Sequence, residues 1–247
     1  MNLFLVIPSF NEQERLRMND WRKVVQCIDG VTLIFVDDCS VDKTANLLAS
    51  LTEAIVIKTP KNLGKARAIK FGMDYAIKEL GVCSDDWLGF LDADSAFKFE
   101  DIKRICSMAQ DPLFQDFAGI WASRVKLLGR SVSRNEMRHY ISRFVITFLS
   151  IGIKDFPYDS QAGFKLFRAK FLLAEIDQLI IKTRWFIDLE IWTYLKLKFG
   201  HRILIWEEPV HSWSEVEDSR IRIRAIPSIV KEVLVVRRML QERIRSR

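Results

Sequence analysis

Two carboxylates two residues apart, Asp92 and Asp94, stand just past the apolar run at residues 87–91. A pair so spaced at the end of a buried strand can reach one hard cation. Mg2+ or Mn2+ takes one or two carboxylates together with substrate phosphates. Eighteen aspartates in 247 residues put about one Asp-x-Asp in the chain by chance, so the triplet alone is a weak signal. Its neighbours strengthen it. Asp37-Asp38 follows a second apolar run, and one of the two suits a base N–H or ribose hydroxyl while the other suits the start of the next helix. Lys65 follows Gly64 at a helix start, which sets a cation beside unpaired N–H groups, a combination suited to phosphate. The GxxxxGK[ST] spacing of a P-loop is absent.

The elements that would position these residues alternate in type. Apolar runs at 3–7, 31–36, 54–58 and 87–91 read as strands buried on both faces. Helical patterns are predicted at 14–28, 43–51 and 65–80, the last with Ala66, Ile69, Met73, Ala76 and Ile77 on one face. Strand-helix alternation implies a parallel sheet with right-handed crossovers, and ligands of such sheets bind at the carboxyl ends of the strands. The four polar clusters all follow strands, so they converge on one crevice. The second half is less regular. Strands are predicted at 117–122, 162–167, 202–206 and 209–213, and helices at 135–151, 185–198 and from 226 onward.

Length and composition fit one α/β domain. Apolar residues make up 49%, enough for a full core, and ten glycines and six prolines leave no linker. Four scattered cysteines without a leader pattern point to a reducing compartment; Cys27 and Cys106 are expected on apolar helix faces. The longest apolar run, 144–153, is half of what a membrane crossing needs. The net charge of +6 is concentrated: residues 220–247 hold nine Arg/Lys against two Glu, and residues 124–143 hold six against one. Such clusters suit anionic partners, a phosphate or an acidic lipid surface, or else form a solvated helix face. A nucleic-acid-binding protein fits poorly, because it would not need the crevice clusters.

Four blocks carry a resemblance. Val6-Ile7-Pro8-Ser9-Phe10-Asn11-Glu12, then Phe35-Val36-Asp37-Asp38-Cys39-Ser40, then Lys61-Asn62-Leu63-Gly64-Lys65, then Asp92-Ala93-Asp94 resemble, in order and spacing, the inverting family 2 glycosyltransferases of GT-A fold. Asp159-Ser160-Gln161-Ala162-Gly163-Phe164-Lys165, with Arg184-Trp185 and Glu208-Pro209-Val210, looks like the dolichol-phosphate mannose synthase and dolichyl-phosphate glucosyltransferase subgroup. The resemblance covers residues 3 to 224.

The resemblance implies a metal-dependent hexosyltransferase. Residues 1–224 would form the catalytic domain, and 225–247 a basic helix packed on it or lying at the membrane surface. Pro8, Phe10, Glu12 and Asp38 would line the nucleobase and ribose pocket, with Lys65 near the nucleotide. Asp92 and Asp94 would hold Mg2+ or Mn2+ and the diphosphate, Asp94 with a catalytic part. Arg124, Arg138 and Arg143 would approach an acceptor phosphate, and Asp159 would sit at the reacting centre. The donor would be a UDP- or GDP-hexose. The acceptor would be a polyprenyl phosphate reached from the cytoplasmic face of a membrane, or else a saccharide hydroxyl of a cell-envelope polymer. A hydroxyl acceptor needs a base, for which Asp159 is the candidate, with Asp188 and Glu190 behind it. Asp188 and Glu190 could equally be structural. Where relatives often supply a third polar ligand this chain has Ala96, which leaves two carboxylates, substrate phosphates and water to complete a metal shell.

Overall fold

The computed structural model describes residues 1–133, 136–174, 176–200, 203–214 and 226–245, without the side chains of 136–139, 226–228 and 242–245. Four strands open the chain: β1 (Leu3–Ser9), β2 (Val31–Asp37), β3 (Ile55–Lys58) and β4 (Trp87–Leu91). They alternate with helices α1 (Met18–Cys27), α2 (Thr44–Ala49) and α3 (Lys65–Glu79). The second half adds α4 (Phe99–Gln110), β5 (Gly119–Ser123), β6 (Ser131–Ser133), α5 (Glu136–Ser150) and β7 (Phe164–Arg168). It ends with α6 (Ile187–Phe199), β8 (Ile205–Pro209), β9 (Ser212–Ser214) and α7 (Ile226–Arg245).

One seven-stranded sheet runs β3-β2-β1-β4-β7-β5-β8. β1 pairs in parallel with β2 and β4, and β2 with β3. β7 enters antiparallel between β4 and β5, and β8 returns parallel to β5. The predicted α/β class and mostly parallel sheet are therefore present. Register brings the polar strand ends level, with Ser9 opposite Asp37 and Asp37 opposite Lys58. Leu91 faces Phe164, so the residue after β4 meets the residue before β7.

Both faces are covered, which is why the central strands are unbroken apolar runs. On one face α3 lies close, through buried Ala66, Ile69, Met73 and Ala76, against Val6, Ile34 and Val36. On the other, Trp21 and Val24 of α1 and Ile102, Ile105 and Cys106 of α4 pack on Leu5, Phe35 and Leu91.

Several boundaries differ from expectation. α4 was expected only in that Cys106 was placed on an apolar helix face, with no range given; Ile102, Ile105, Cys106 and Ala109 carry its helical spacing and form its buried face. α1 begins at Met18 rather than 14, because the preceding residues make a turn in which Arg15 and Leu16 donate their N–H groups to Glu12 O. The last strands sit at 205–209 and 212–214, a few residues later than predicted. Cys27 is exposed rather than on an apolar face, while Cys106 is buried; all four cysteines are free thiols.

Candidate active site

Asp92 and Asp94 stand at the carboxyl end of β4 and open onto a cleft of about 590 Å3, together with Ser95, Arg15 and Arg17. The Asp92 N–H donates to Gly163 O at 2.8 Å, which stitches the end of β4 to the start of β7. A Cβ at Gly163 would collide with the Asp92 carboxylate, so only glycine lets this aspartate turn as it does. Lys65 Nζ reaches Asp92 Oδ1 at 2.5 Å. Asp94 binds its proton more tightly than an ordinary carboxyl, because it is largely desolvated and because Asp92 is adjacent. The Ala96 N–H donates to Asp94 at 3.2 Å, so the residue in the expected third-ligand position contributes only a backbone group.

The other strand-end residues surround this pair. Pro8, next to last in β1, lies opposite Val36, and Phe10 follows the strand half-buried. Glu12 is buried beside Arg15, with 2.6 Å between Oε2 and Nη2, and its N–H donates to Thr44 Oγ1 at 2.6 Å. Asp38 is also buried and organises the loop after β3: Oδ1 accepts from Thr59 Oγ1 and Leu63 N–H, and Oδ2 from Gly64 N–H. One acceptor position on Oδ2 remains beyond those bonds. Neither Asp37 nor Asp38 caps α2. Asp37 accepts from Ser40 N–H, and the capping bond to Thr44 N–H comes from Asp42, which remains a readily ionised carboxylate. The start of α3 is also less open than expected, since Ala66 N–H donates to Arg184 O at 2.9 Å.

A second group lies across Gly163. Arg124 follows β5 and grips Asp159 in a fork, Nε to Oδ2 at 2.8 Å and Nη2 to Oδ1 at 2.7 Å, with Arg124 N–H donating to Oδ2 as well. Burial opposes ionisation of Asp159, but the guanidinium and its hydrogen bonds outweigh that and hold the carboxyl well below its usual range. Arg143, on α5, donates to Tyr158 O and stacks 3.9 Å over the Tyr158 ring. Arg124, Lys126, Arg143, Tyr158 and Asp159 line one small recess. Two of the three arginines named for an acceptor phosphate thus share a recess; the Arg138 side chain falls outside the described residues, as does Arg134.

Beside the recess is a layer of buried and half-buried charge, of which the sequence pointed only to Asp188. Lys165, fully buried in β7, donates to Asp159 O at 2.8 Å and lies 4.4 Å from the Trp121 ring centre. Burial lowers its pKa to about 8. Asp188, at the head of α6, is pushed up to about 6 by burial, against the pull of Lys165. Glu207 of β8 accepts from Tyr158 N–H and Asp159 N–H at 2.7 and 2.8 Å. A lysine alone in an apolar strand must find buried partners, and that was the legible signal. Glu190 is structural: it accepts from Lys182 N–H, Thr183 N–H and Thr183 Oγ1.

The order of the mostly parallel sheet, flanked by helices, is that of a GT-A fold. The chain belongs to glycosyl transferase family 2, whose family model matches residues 4–171. It is 30% identical over 240 residues to a dolichyl-phosphate beta-glucosyltransferase of Dictyostelium discoideum, covering 89% of this chain and 68% of that one. It is 28% identical to the mouse protein of that name, covering 89% and 69%. Glucosyl-3-phosphoglycerate synthase from Mycobacterium tuberculosis, solved with Mn2+, UDP and glucosyl-3-phosphoglycerate, superposes with a TM-score of 0.68 over 96% of this chain and 79% of that one. At 14% identity that likeness is one of fold.

Proposed function

We propose that this glycosyltransferase moves a hexose, glucose by kinship with its relatives, from a nucleotide diphosphate sugar to a polyprenyl phosphate, with inversion. One observation carries the choice of acceptor: Asp159 is bound in a fork by Arg124 and stays ionised far below neutral pH. A carboxylate so committed is a poor base, and a sugar hydroxyl needs one. A phosphate monoester is already an anion and needs cations instead. At the recess Lys126 and Arg143 supply them, with Arg124 already paired to Asp159 behind them.

In the reaction, a lone pair on the acceptor phosphate oxygen attacks the anomeric carbon. The bond from that carbon to the diphosphate oxygen breaks, and its electron pair leaves with the nucleoside diphosphate. No proton need move. Lys65, 2.5 Å from Asp92, supplies a cation to the charge that grows on the leaving group. Pro8, Phe10, Glu12 and Asp38 flank the nucleotide, whether UDP or GDP, Asp38 through its remaining acceptor position.

Asp92 and Asp94 fit Mg2+ or Mn2+. They face one cleft as two adjacent carboxylates, and Asp94 holds its proton tightly first through burial and then through the nearby charge of Asp92, which a cation would offset. When bound, such an ion neutralises charge developing on the diphosphate. Among the described residues no group of three His, Cys, Asp or Glu side chains gathers to hold a metal. Two carboxylates, substrate phosphates and water would complete the shell.

The lipid would be met at a membrane surface. No described helix is long and apolar enough to cross one. α5 instead exposes Tyr140, Ile141 and Phe144 beside Arg143, an apolar and cationic face suited to a headgroup layer.

Incubation with UDP- or GDP-hexoses, a short-chain polyprenyl phosphate and Mn2+ is expected to give a glycolipid. Transfer to a saccharide with no lipid product, for any donor, overturns the proposal.

A further inference from the structure

We infer that α7 is a working part of the donor site: Glu232 is a positioning residue that sets the loop holding Lys65, acting through Arg184. Glu232 and Arg184 both lie outside residues 4–171, the span that the family model matches. The inference rests on the placement of the nucleotide diphosphate at Lys65 and Asp92 proposed above.

The contacts form a continuous chain. Glu232 Oε2 accepts from Arg184 N–H at 2.9 Å and from Trp185 N–H at 3.2 Å. Two backbone donors on one carboxylate oxygen fix the course of residues 184–185. From there Arg184 touches the donor loop in three places. Its guanidinium Nη2 donates to Asn62 Oδ1 at 2.8 Å. Its Cγ lies 2.8 Å from where a Cβ on Gly64 would stand, so the side chain fills the space that a residue with φ of +85° leaves open. Its carbonyl accepts from Ala66 N–H, the residue after Lys65. Asp38 grips the same loop from the other side, at Leu63 and Gly64. The backbone of Lys65 is therefore held from both flanks before its ammonium reaches Asp92.

Glu232 itself is well anchored. Val233, Val236, Met239 and Leu240 of α7 are buried, and Arg237 Nη1 donates to Leu149 O and Ile151 O at the end of α5. The carboxylate is thus carried on a helix whose apolar face is packed into the core. Its contacts run from α7 through Arg184 to the cation beside Asp92.

The test compares variants of the full chain for UDP binding with Mn2+ by calorimetry, and for KM of donor and of acceptor. Glu232→Ala is expected to weaken nucleotide binding and raise donor KM about tenfold, as the loss of charge-assisted bonds implies, with acceptor KM unchanged. Glu232→Gln keeps an amide oxygen that can accept both N–H groups, and is expected within about twofold of the parent. Arg184→Met leaves α7 and its backbone contacts in place, and is expected to show the same donor-selective loss should Glu232→Ala not fold. Lys65→Ala gauges the underlying donor-site placement. If Lys65→Ala leaves nucleotide affinity intact, that placement fails. If Lys65→Ala weakens binding but neither Glu232→Ala nor Arg184→Met does, the inference fails. A fall in melting temperature with donor and acceptor KM rising together also overturns it, since that marks a merely structural role.

Discussion

Asp159 shows how a residue can be found in sequence and its part still be set by what surrounds it. Its block was legible, but the partner that occupies it, Arg124, lies 35 residues away. With the Asp159 and Arg124 side chains 8% and 11% exposed, neither charge has water to fall back on. Asp159→Asn is therefore expected to destabilise the fold by about 3–5 kcal/mol in urea unfolding, because it strands a buried guanidinium. Pairing it with Arg124→Met should recover much of that loss; a single-variant effect within about 0.5 kcal/mol, as for an exposed pair, would count against the buried fork. Asp188 has the opposite sign. Its carboxyl rises from 3.8 unfolded to about 6 folded, so the native state holds the proton more tightly and stability falls as pH climbs from about 4 to about 6. Asp159, with its pKa lowered, gives stability that is lost only as pH falls below about 4, outside that window. Asp188→Asn should take about 3 kcal/mol out of the decline in midpoint denaturation measured against pH, leaving the part due to Asp94, whose proton affinity is also raised. An unchanged profile would place the titration elsewhere. Neither sign is readable from sequence, because both depend on burial and on Lys165 beneath.

At the scale of elements, the first half was legible because each strand is an unbroken apolar run and each crossover helix carries one apolar face. The antiparallel entry of β7 was not, since nothing in a five-residue strand states its direction. α4 was legible only at Cys106, since four charged residues interrupt its apolar spacing, yet it holds the β8–β9 turn: Asp101 accepts from His211 and Ser212 N–H, and Arg104 pairs with Glu208. α5 shows a limit of another kind. Its pattern promises a helix, but which apolar residues face outward depends on where α7 packs. Ile146 and Leu149 are buried, while Tyr140 and Phe144 are 70% and 74% exposed. Residues so exposed add little to folding, so Tyr140→Glu with Phe144→Glu should leave the melting temperature within a few degrees. The same change should reduce sedimentation with anionic phospholipid vesicles several-fold, by removing apolar insertion and adding negative charge. Equal vesicle binding by the parent and the double variant would remove α5 from the membrane face.

For the whole molecule, the open question was whether the basic stretch after residue 224 is an appendage or part of the body. Its spacing of apolar residues foretold the helix, and α7 spans Ile226–Arg245. Spacing cannot say what an apolar stripe meets, and charge count misleads here, because the positive residues draw attention while the uncharged ones do the packing. Val233, Val236, Met239 and Leu240 are at most 7% exposed, and Val233, Val236 and Leu240 belong to the core that includes Leu149 of α5 and Leu189 of α6. Full burial of four such side chains contributes about 1.5–3 kcal/mol each, comparable with the entire net stability of an ordinary domain, about 5–15 kcal/mol. Arg237 and Glu232 add polar ties to α5 and to the 184–185 turn. A division at residue 224 would then cut through one cooperative unit. The full chain is expected to unfold in a single transition that coincides in far-ultraviolet dichroism and tryptophan fluorescence. A chain ending at residue 225 should lack that transition, or melt many degrees lower and bind dyes of exposed apolar surface. Retention of the parent melting temperature after truncation would show that α7 rests on the domain without holding it together.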